Sequence, residues 1–249
     1  MPRYKLILEY LGTNFSGWQK QKNTCSIQET LEIAAYRLLQ EKINLVVAGR
    51  TDSGVHAERQ VAHFDLKKKF CCRKIQLGIN FHLMRIKFGK DISVKKVSKV
   101  SANFNARFSA KKKLYQYLIY NSIYRSPLLY DKTWWVRQKL DCKKMLDASH
   151  YLLGSHNFSS FRSKGCQSFS PLKTLENVNV SKSKNIVKLS FLAKSFLYNQ
   201  VRIMVGTLKD VGTGLISVED MKKIINRKNR KYAGATAPSK GLILKRVSY

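Results

Sequence analysis

The chain opens with apolar residues at every second position from Tyr4 to Tyr10, and this alternation predicts a β-strand. Ser26 and Glu29 then form a capping box, after which apolar residues follow helical spacing from Ile27 to Leu38. The same patterns predict strands at 43–48, 60–66, 92–97 and 114–120, and a short helix around 74–79.

The second part of the chain repeats this mixture of strands and helices. Asp141 is predicted to cap a helix that runs to Leu153 and stops at Gly154. Strands are predicted near 175–180, 186–192 and 241–247, and helices at 199–211 and from 217.

This order of elements implies few parallel crossovers and therefore predicts an α+β fold. We expect two similar halves that share a mainly antiparallel central sheet flanked by helices. The basic segment 121–137 is the expected boundary, which gives an N-terminal half at 1–120 and a C-terminal half at 121–249.

The net charge of the chain indicates which class of molecule it binds. The 249 residues include 47 Lys and Arg but only 15 Asp and Glu, a net charge of +32. Such a chain attracts polyanions, either nucleic acid or an anionic membrane surface. No run of 18 apolar residues and no signal-peptide core occur, so we expect a cytoplasmic protein that binds nucleic acid and no membrane. The five cysteines include no C-x-x-C pair, which favours reduced thiols.

The stretch AGRTDSGVHA, Ala48 to Ala57, lies between two predicted strands and holds an unusual carboxylate. Asp52 could shape a turn with Gly54 at positive φ, which is the common role of such residues. Alternatively it could do chemistry, because two strands give the loop a rigid mounting and Arg50 is close enough in sequence to keep a carboxylate ionised.

The same stretch resembles the signature of the TruA-type tRNA pseudouridine synthases, and other motifs of that family follow it in the expected order. They are G-W-Q-K-Q at 17–21, F-N-A-R-F-S-A at 104–110 with K-L-Y-Q-Y at 113–117, S-F-R at 160–162 with C-Q-S at 166–168, and S-F-L-Y-N-Q-V-R-I-M-V-G at 195–206. The resemblance covers nearly the whole chain. It implies the pseudouridine synthase fold and isomerisation of uridines in the anticodon stem-loop of tRNA, at positions 38–40.

The resemblance also implies roles for four residues. Asp52 occupies the position of the nucleophile, and Tyr115 that of the aromatic residue that stacks on the target uracil. Arg202 corresponds to the arginine that reaches the nucleophile from the other half, and Arg50 belongs to the loop that handles the flipped nucleotide. A homodimer that binds tRNA is implied, with no metal and no organic cofactor. Whether the attack begins at C6 or at C1′ stays open.

Three positions depart from the family pattern. Leu11 stands where the family commonly has aspartate, and Asn105 where histidine is frequent. Residues 82–90 form a longer basic loop than the family's usual connection. These departures concern RNA contacts or turn stability and not the nucleophile.

Two other classes of protein fit part of the sequence. A non-catalytic RNA-binding protein would explain the charge but not the Asp52 loop or Arg202. A glycoside hydrolase would also use an aspartate at an anomeric carbon, but it needs a second carboxylate as the acid, and acidic residues are few here.

Overall fold

The computed structural model describes residues 1–249. It has ten strands, which pair mostly antiparallel, and five α-helices, which confirms the predicted α+β class. The residues form two compact units, Met1–Lys111 with Leu244–Tyr249, and Lys112–Ile243. The division into domains at 1–120 and 121–249 stays a prediction.

The strands of the first unit surround its N-terminal strand, β1 (Arg3–Tyr10). β1 pairs antiparallel with β3 (His56–Asp65) on one side and with β4 (Ile92–Val100) on the other, and the two-residue β2 (Val46–Val47) pairs with β3. Every second residue of β1 is buried, as the alternation predicts. The strand predicted at 43–48 is shorter than expected, since only its last part finds a partner.

Two helices pack together in this unit, α1 (Ile27–Leu39) and α2 (Cys72–Leu83). The side chain of Ser26 accepts a hydrogen bond from the Glu29 backbone N–H at 3.3 Å, which confirms the predicted start of α1. Gly78 allows the close approach of the helices, because a Cβ there would lie 2.4 Å from Leu38 Cδ1.

The second unit is built on β5 (Lys112–Asn121). Its other strands are β6 (Trp134–Val136), β7 (Gly154–Asn157), β8 (Leu172–Ser183) and β9 (Ile186–Ala193). The antiparallel order is β5, β9, β8, β7, and β6 pairs with β5 in parallel. The last strand of the chain, β10, is Leu242–Ser248.

The helices of this unit are α3 (Cys142–His150), α4 (Gln200–Gly212) and α5 (Asp220–Arg227). Asp141 caps α3 by accepting from the Lys144 backbone N–H at 3.0 Å, as predicted. The helix ends at His150 and not at Leu153, because the following residues close tighter turns before β7 begins. The helix predicted from Ser217 begins only at Asp220.

None of these helices has the length and apolar character that a membrane crossing requires. All five cysteines are free thiols, and no group of three His, Cys, Asp or Glu side chains is arranged to hold a metal ion.

Candidate active site

Asp52 lies in the loop between β2 and β3, where it is half-buried, while Arg50 in the same loop is exposed. The Val55 backbone N–H donates to the Asp52 carbonyl at 3.1 Å, which closes a four-residue turn. Gly54 holds the third position of this turn at a φ of 76°, the left-handed conformation that glycine adopts without strain. The backbone of Asp52 therefore does shape a turn, and its side chain is carried on a defined backbone.

The segment that contains Gly17 and Trp18 packs on this loop and fixes it from one side. The Trp18 backbone N–H donates to the Thr51 carbonyl at 3.0 Å. Gly17 has a φ of 105°, and a Cβ there would lie 2.7 Å from the Thr51 carbonyl oxygen and 3.1 Å from the Asp52 carbonyl carbon. Only glycine fits at this point, so the G-W-Q motif serves as a support for the Asp52 backbone.

Buried polar side chains hold the loop from inside the unit. The Tyr10 hydroxyl shares a hydrogen bond of 2.8 Å with Thr51 Oγ1. Gln60 Nε2 donates to the Gly49 carbonyl at 2.9 Å and to the Tyr10 hydroxyl at 3.3 Å. Burial raises the pKa of Tyr10 to about 12, so the phenol stays neutral and can serve as a hydrogen-bonding group.

The sequence patterns did not indicate the supporting roles of Tyr10, Thr51 and Gln60. Thr51 belongs to the signature stretch, and Gln60 is a polar residue at a fully buried position of β3. A buried amide needs hydrogen-bond partners, and this requirement is the signal that could have marked Gln60. Its partner Tyr10 is 50 residues away in the chain, beyond the reach of any local pattern.

Leu11 and Asn105, two of the positions that depart from the family pattern, lie in loops that are held by hydrogen bonds. The Leu11 backbone N–H donates to the Asp91 carbonyl at 2.9 Å, and the adjacent Gly12 N–H donates to His56 Nδ1 at 2.9 Å. The Asn105 side chain accepts from the Arg107 N–H at 2.9 Å and closes the turn of its motif.

In the second unit, Tyr115 lies on β5 and its side chain is 8% exposed. Its ring meets the ring of Phe196 edge to face, with the centroids 5.3 Å apart. Phe196 is itself half-buried. This position therefore combines a packing role with an aromatic neighbour close to the surface.

Arg202 lies in the first turn of α4, half-buried, with its guanidinium group fixed by acceptors of its own unit. Its Nε donates to the Ala237 carbonyl at 2.7 Å, and its Nη1 donates to Asn199 Oδ1 at 2.8 Å. Asn199 has a φ of 60°, a conformation that asparagine tolerates better than most residues. The guanidinium group is thus oriented before any substrate binds.

The adjacent residues Ala237 and Pro238 accept hydrogen bonds from Arg202 and from β5, respectively. The Tyr117 hydroxyl donates to the Pro238 carbonyl at 2.7 Å, next to the carbonyl that holds Arg202. Tyr115 and Tyr117 lie two residues apart on a strand and so share one face. The structure therefore brings Arg202 to the face of β5 that carries Tyr115, within the second unit, and it places Arg50 and Asp52 together in one loop of the first unit.

Comparison with known proteins adds to this geometry. The family model described as tRNA pseudouridine synthase matches residues 6–109 and 148–249. A protein named tRNA pseudouridine synthase A from Ehrlichia canis (strain Jake) is 46% identical over 248 residues, which cover 99% of this chain and all of that protein. Proteins of the same name from Wolbachia pipientis wMel (99% and 100% covered) and Brucella ovis (100% and 98%) are 44% and 42% identical. The chain therefore belongs to the tRNA pseudouridine synthase family, a family of isomerases.

Proposed function

We propose that this protein converts uridine to pseudouridine in the anticodon stem-loop of tRNA, with the Asp52 carboxylate as nucleophile. The observation that supports this proposal best is the mounting of Asp52. Its loop is held by the backbone of Trp18 and by the buried side chains of Tyr10 and Gln60, as a group that must meet a reacting atom requires.

The reaction is an isomerisation that one carboxylate can carry. The N1–C1′ bond breaks, the uracil turns, and a new bond joins C5 to C1′. N1 gains a proton, C5 loses its proton, and the carboxylate is regenerated. A covalent adduct of Asp52 with either C1′ or C6 would divide this change into two easier steps.

The other predicted residues have roles that fit this chemistry. The target uridine must leave its stack, and we propose that Tyr115 stacks on the uracil in place of the lost neighbours. We propose that exposed Arg50 contacts the flipped nucleotide, and that Arg202 supports the ionised form of Asp52. A homodimer in the cytoplasm, with a net charge of +32 that attracts tRNA, completes the proposal.

Asp52→Asn tests the nucleophile directly. Asparagine serves in turns about as well as aspartate, so the loop should persist while the negative charge is lost. When C5 becomes the glycosidic carbon its hydrogen must leave, so tRNA labelled with tritium at uridine C5 releases label to water only on isomerisation. We expect release by the wild-type protein, none by Asp52→Asn, and unchanged or tighter binding of tRNA by the variant.

Asp147→Asn is the matched control, because it makes the same chemical change at an exposed position of α3. It should release label at the wild-type rate. Near-normal release by Asp52→Asn would refute the catalytic role. Binding of tRNA by the wild-type protein with no release at all would support a purely RNA-binding function instead.

A further inference from the structure

Residues 122–137, which we call the aromatic–basic segment, expose an unusual amount of apolar surface in the second unit. Five of its large side chains are between 43% and 92% exposed: Ile123, Tyr124, Leu128, Tyr130 and Trp135. Single exposed apolar residues need no explanation, but five within 16 residues of chain make this segment a candidate binding surface.

The two ends of this segment are held together by hydrogen bonds. β6 pairs with the end of β5, and Asn121 Nδ2 donates to the carbonyls of Val136 and Gln138 at 2.9 and 2.7 Å. The Trp135 indole N–H donates to the Ser122 carbonyl at 2.8 Å, which fixes the orientation of its ring. A surface ordered in this way loses little conformational freedom when a partner binds.

Charge decides which partner fits. Arg125, Lys132 and Arg137 are interleaved with the exposed rings, and the segment has one acidic residue, Asp131. The Nζ atom of Lys240 lies 3.5 Å from the centroid of the Tyr130 ring, which adds another cation. A second copy of this surface would bring like charges together, whereas RNA offers phosphates to the cations and bases to the rings.

We propose that the aromatic–basic segment is a tRNA-binding surface. Tyr124 and Trp135 stack on unpaired bases, and Arg125, Lys132 and Arg137 neutralise phosphates. This inference rests on the proposed function, because it takes tRNA to be the substrate.

The segment acts on affinity and not on the chemical step. Trp135 pairs with Tyr120, which is five residues beyond Tyr115 along β5. At a rise of about 3.3 Å per residue, this separation is roughly 17 Å. A base stacked on Trp135 therefore cannot be the base that stacks on Tyr115, so loss of the segment should weaken binding without lowering turnover of bound tRNA.

Tryptophan fluorescence provides the test. Trp18 is buried and Trp134 is half-buried, so Trp135 is the exposed one of the three tryptophans. Titration with an unmodified tRNA transcript should quench the fluorescence of the wild-type protein. Trp135→Phe should lose most of this quenching but keep near-normal affinity, because phenylalanine also stacks. Trp135→Ala and Tyr124→Ala should each bind about tenfold more weakly by filter binding, with unchanged tritium release at saturating tRNA.

Tyr36→Ala on α1 is the control, since it removes an aromatic side chain that is 45% exposed in the first unit. Unchanged affinity in Trp135→Ala and Tyr124→Ala, or an equal loss in Tyr36→Ala, would overturn the proposal. So would dissociation of a protein dimer by these variants, seen in sedimentation, with RNA affinity unchanged. If the wild-type protein neither binds tRNA nor releases label, the proposed function itself fails.

Discussion

The hydroxyl group of Tyr10 joins the Asp52 loop to the interior of its unit, and its removal should separate positioning from folding. Tyr10→Phe leaves Thr51 and Gln60 with one buried partner fewer, which should cost about 1 kcal/mol of unfolding free energy. A loop that is less well fixed should also lower turnover at saturating tRNA, while the affinity for tRNA stays the same. Thermal unfolding and tritium release measure the two effects.

Tyr4→Phe is the control for this experiment. Tyr4 is a buried tyrosine on the same strand, and its hydroxyl bonds the backbone of Phe70 and not the Asp52 loop. It should lose similar stability and keep its turnover. Equal turnover in both variants would show that the Tyr10 hydroxyl has only a structural role.

Arg202→Met tests whether the guanidinium group acts on Asp52. Without the cation, a partly buried carboxylate becomes easier to protonate, so activity near neutral pH should fall and recover in part as the pH rises. The pH profile of tritium release checks this, with Arg202→Lys retaining more activity. An unchanged rate at all pH values would show that Arg202 does not act on Asp52.

At the scale of single residues, a family motif can name a candidate, but it cannot name the partners that the fold brings to it. Asp52, Tyr115 and Arg202 were proposed from their place in family motifs, and their roles stay predictions. The Ala237 carbonyl that orients Arg202 is 35 residues further along the chain, and no periodicity could connect the two. Hydrophobic spacing specifies which face is buried, but it does not name the polar partner on that face.

Strands β1 and β3 are tied together by an ion pair that should make this part of the sheet sensitive to acid. Arg3 Nε and Nη2 each donate to an Asp65 carboxylate oxygen at 2.7 Å, and these bonds hold the pKa of Asp65 below its usual value. The pair therefore stabilises the fold above the ordinary pKa of aspartate, and the contribution is lost as the pH falls through the lowered value.

Asp65→Asn should lower the unfolding free energy at neutral pH by about 1 kcal/mol, a modest value because the carboxylate is 37% exposed. In urea unfolding, the difference from the wild-type protein should shrink as the pH falls below 4. Glu9→Gln is the control, because Glu9 forms a more exposed ion pair with Lys95 on the same sheet. A difference that is constant with pH would contradict the role of the ion pair.

Helices and strands were predicted well where local signals are complete. Ser26 and Asp141 mark the starts of α1 and α3 because each side chain bonds the backbone three residues later. The end of α3 was placed three residues too late, since Leu152 and Leu153 continue the apolar pattern in a turn. The parallel pairing of β6 with β5 depends on long-range contacts that alternation does not encode.

Composition predicted the type of partner for the whole molecule, because a net charge of +32 favours the binding of a polyanion whatever the fold. The α+β class followed from the order of elements. The pairing of β1 between β3 and β4 did not, since strand order depends on which apolar faces meet. The type of reaction came from membership of the family, because charge and hydrophobic spacing do not specify a reaction.

The net charge of the whole molecule leads to the last prediction, which concerns salt. If binding neutralises about 6–10 phosphates, the affinity for tRNA should fall about 10³–10⁵-fold between roughly 50 and 200 mM salt, because condensed counterions are released on binding.

Gln substitution of Lys111, Lys112 and Lys113 together should weaken binding and make the salt dependence shallower, with little change in turnover of bound tRNA. Filter binding at a series of salt concentrations measures the slope, and Asp52→Asn should keep the wild-type slope. A flat response to salt would show that the charge has another purpose, and loss of turnover alone in the lysine variant would place that run in the active site.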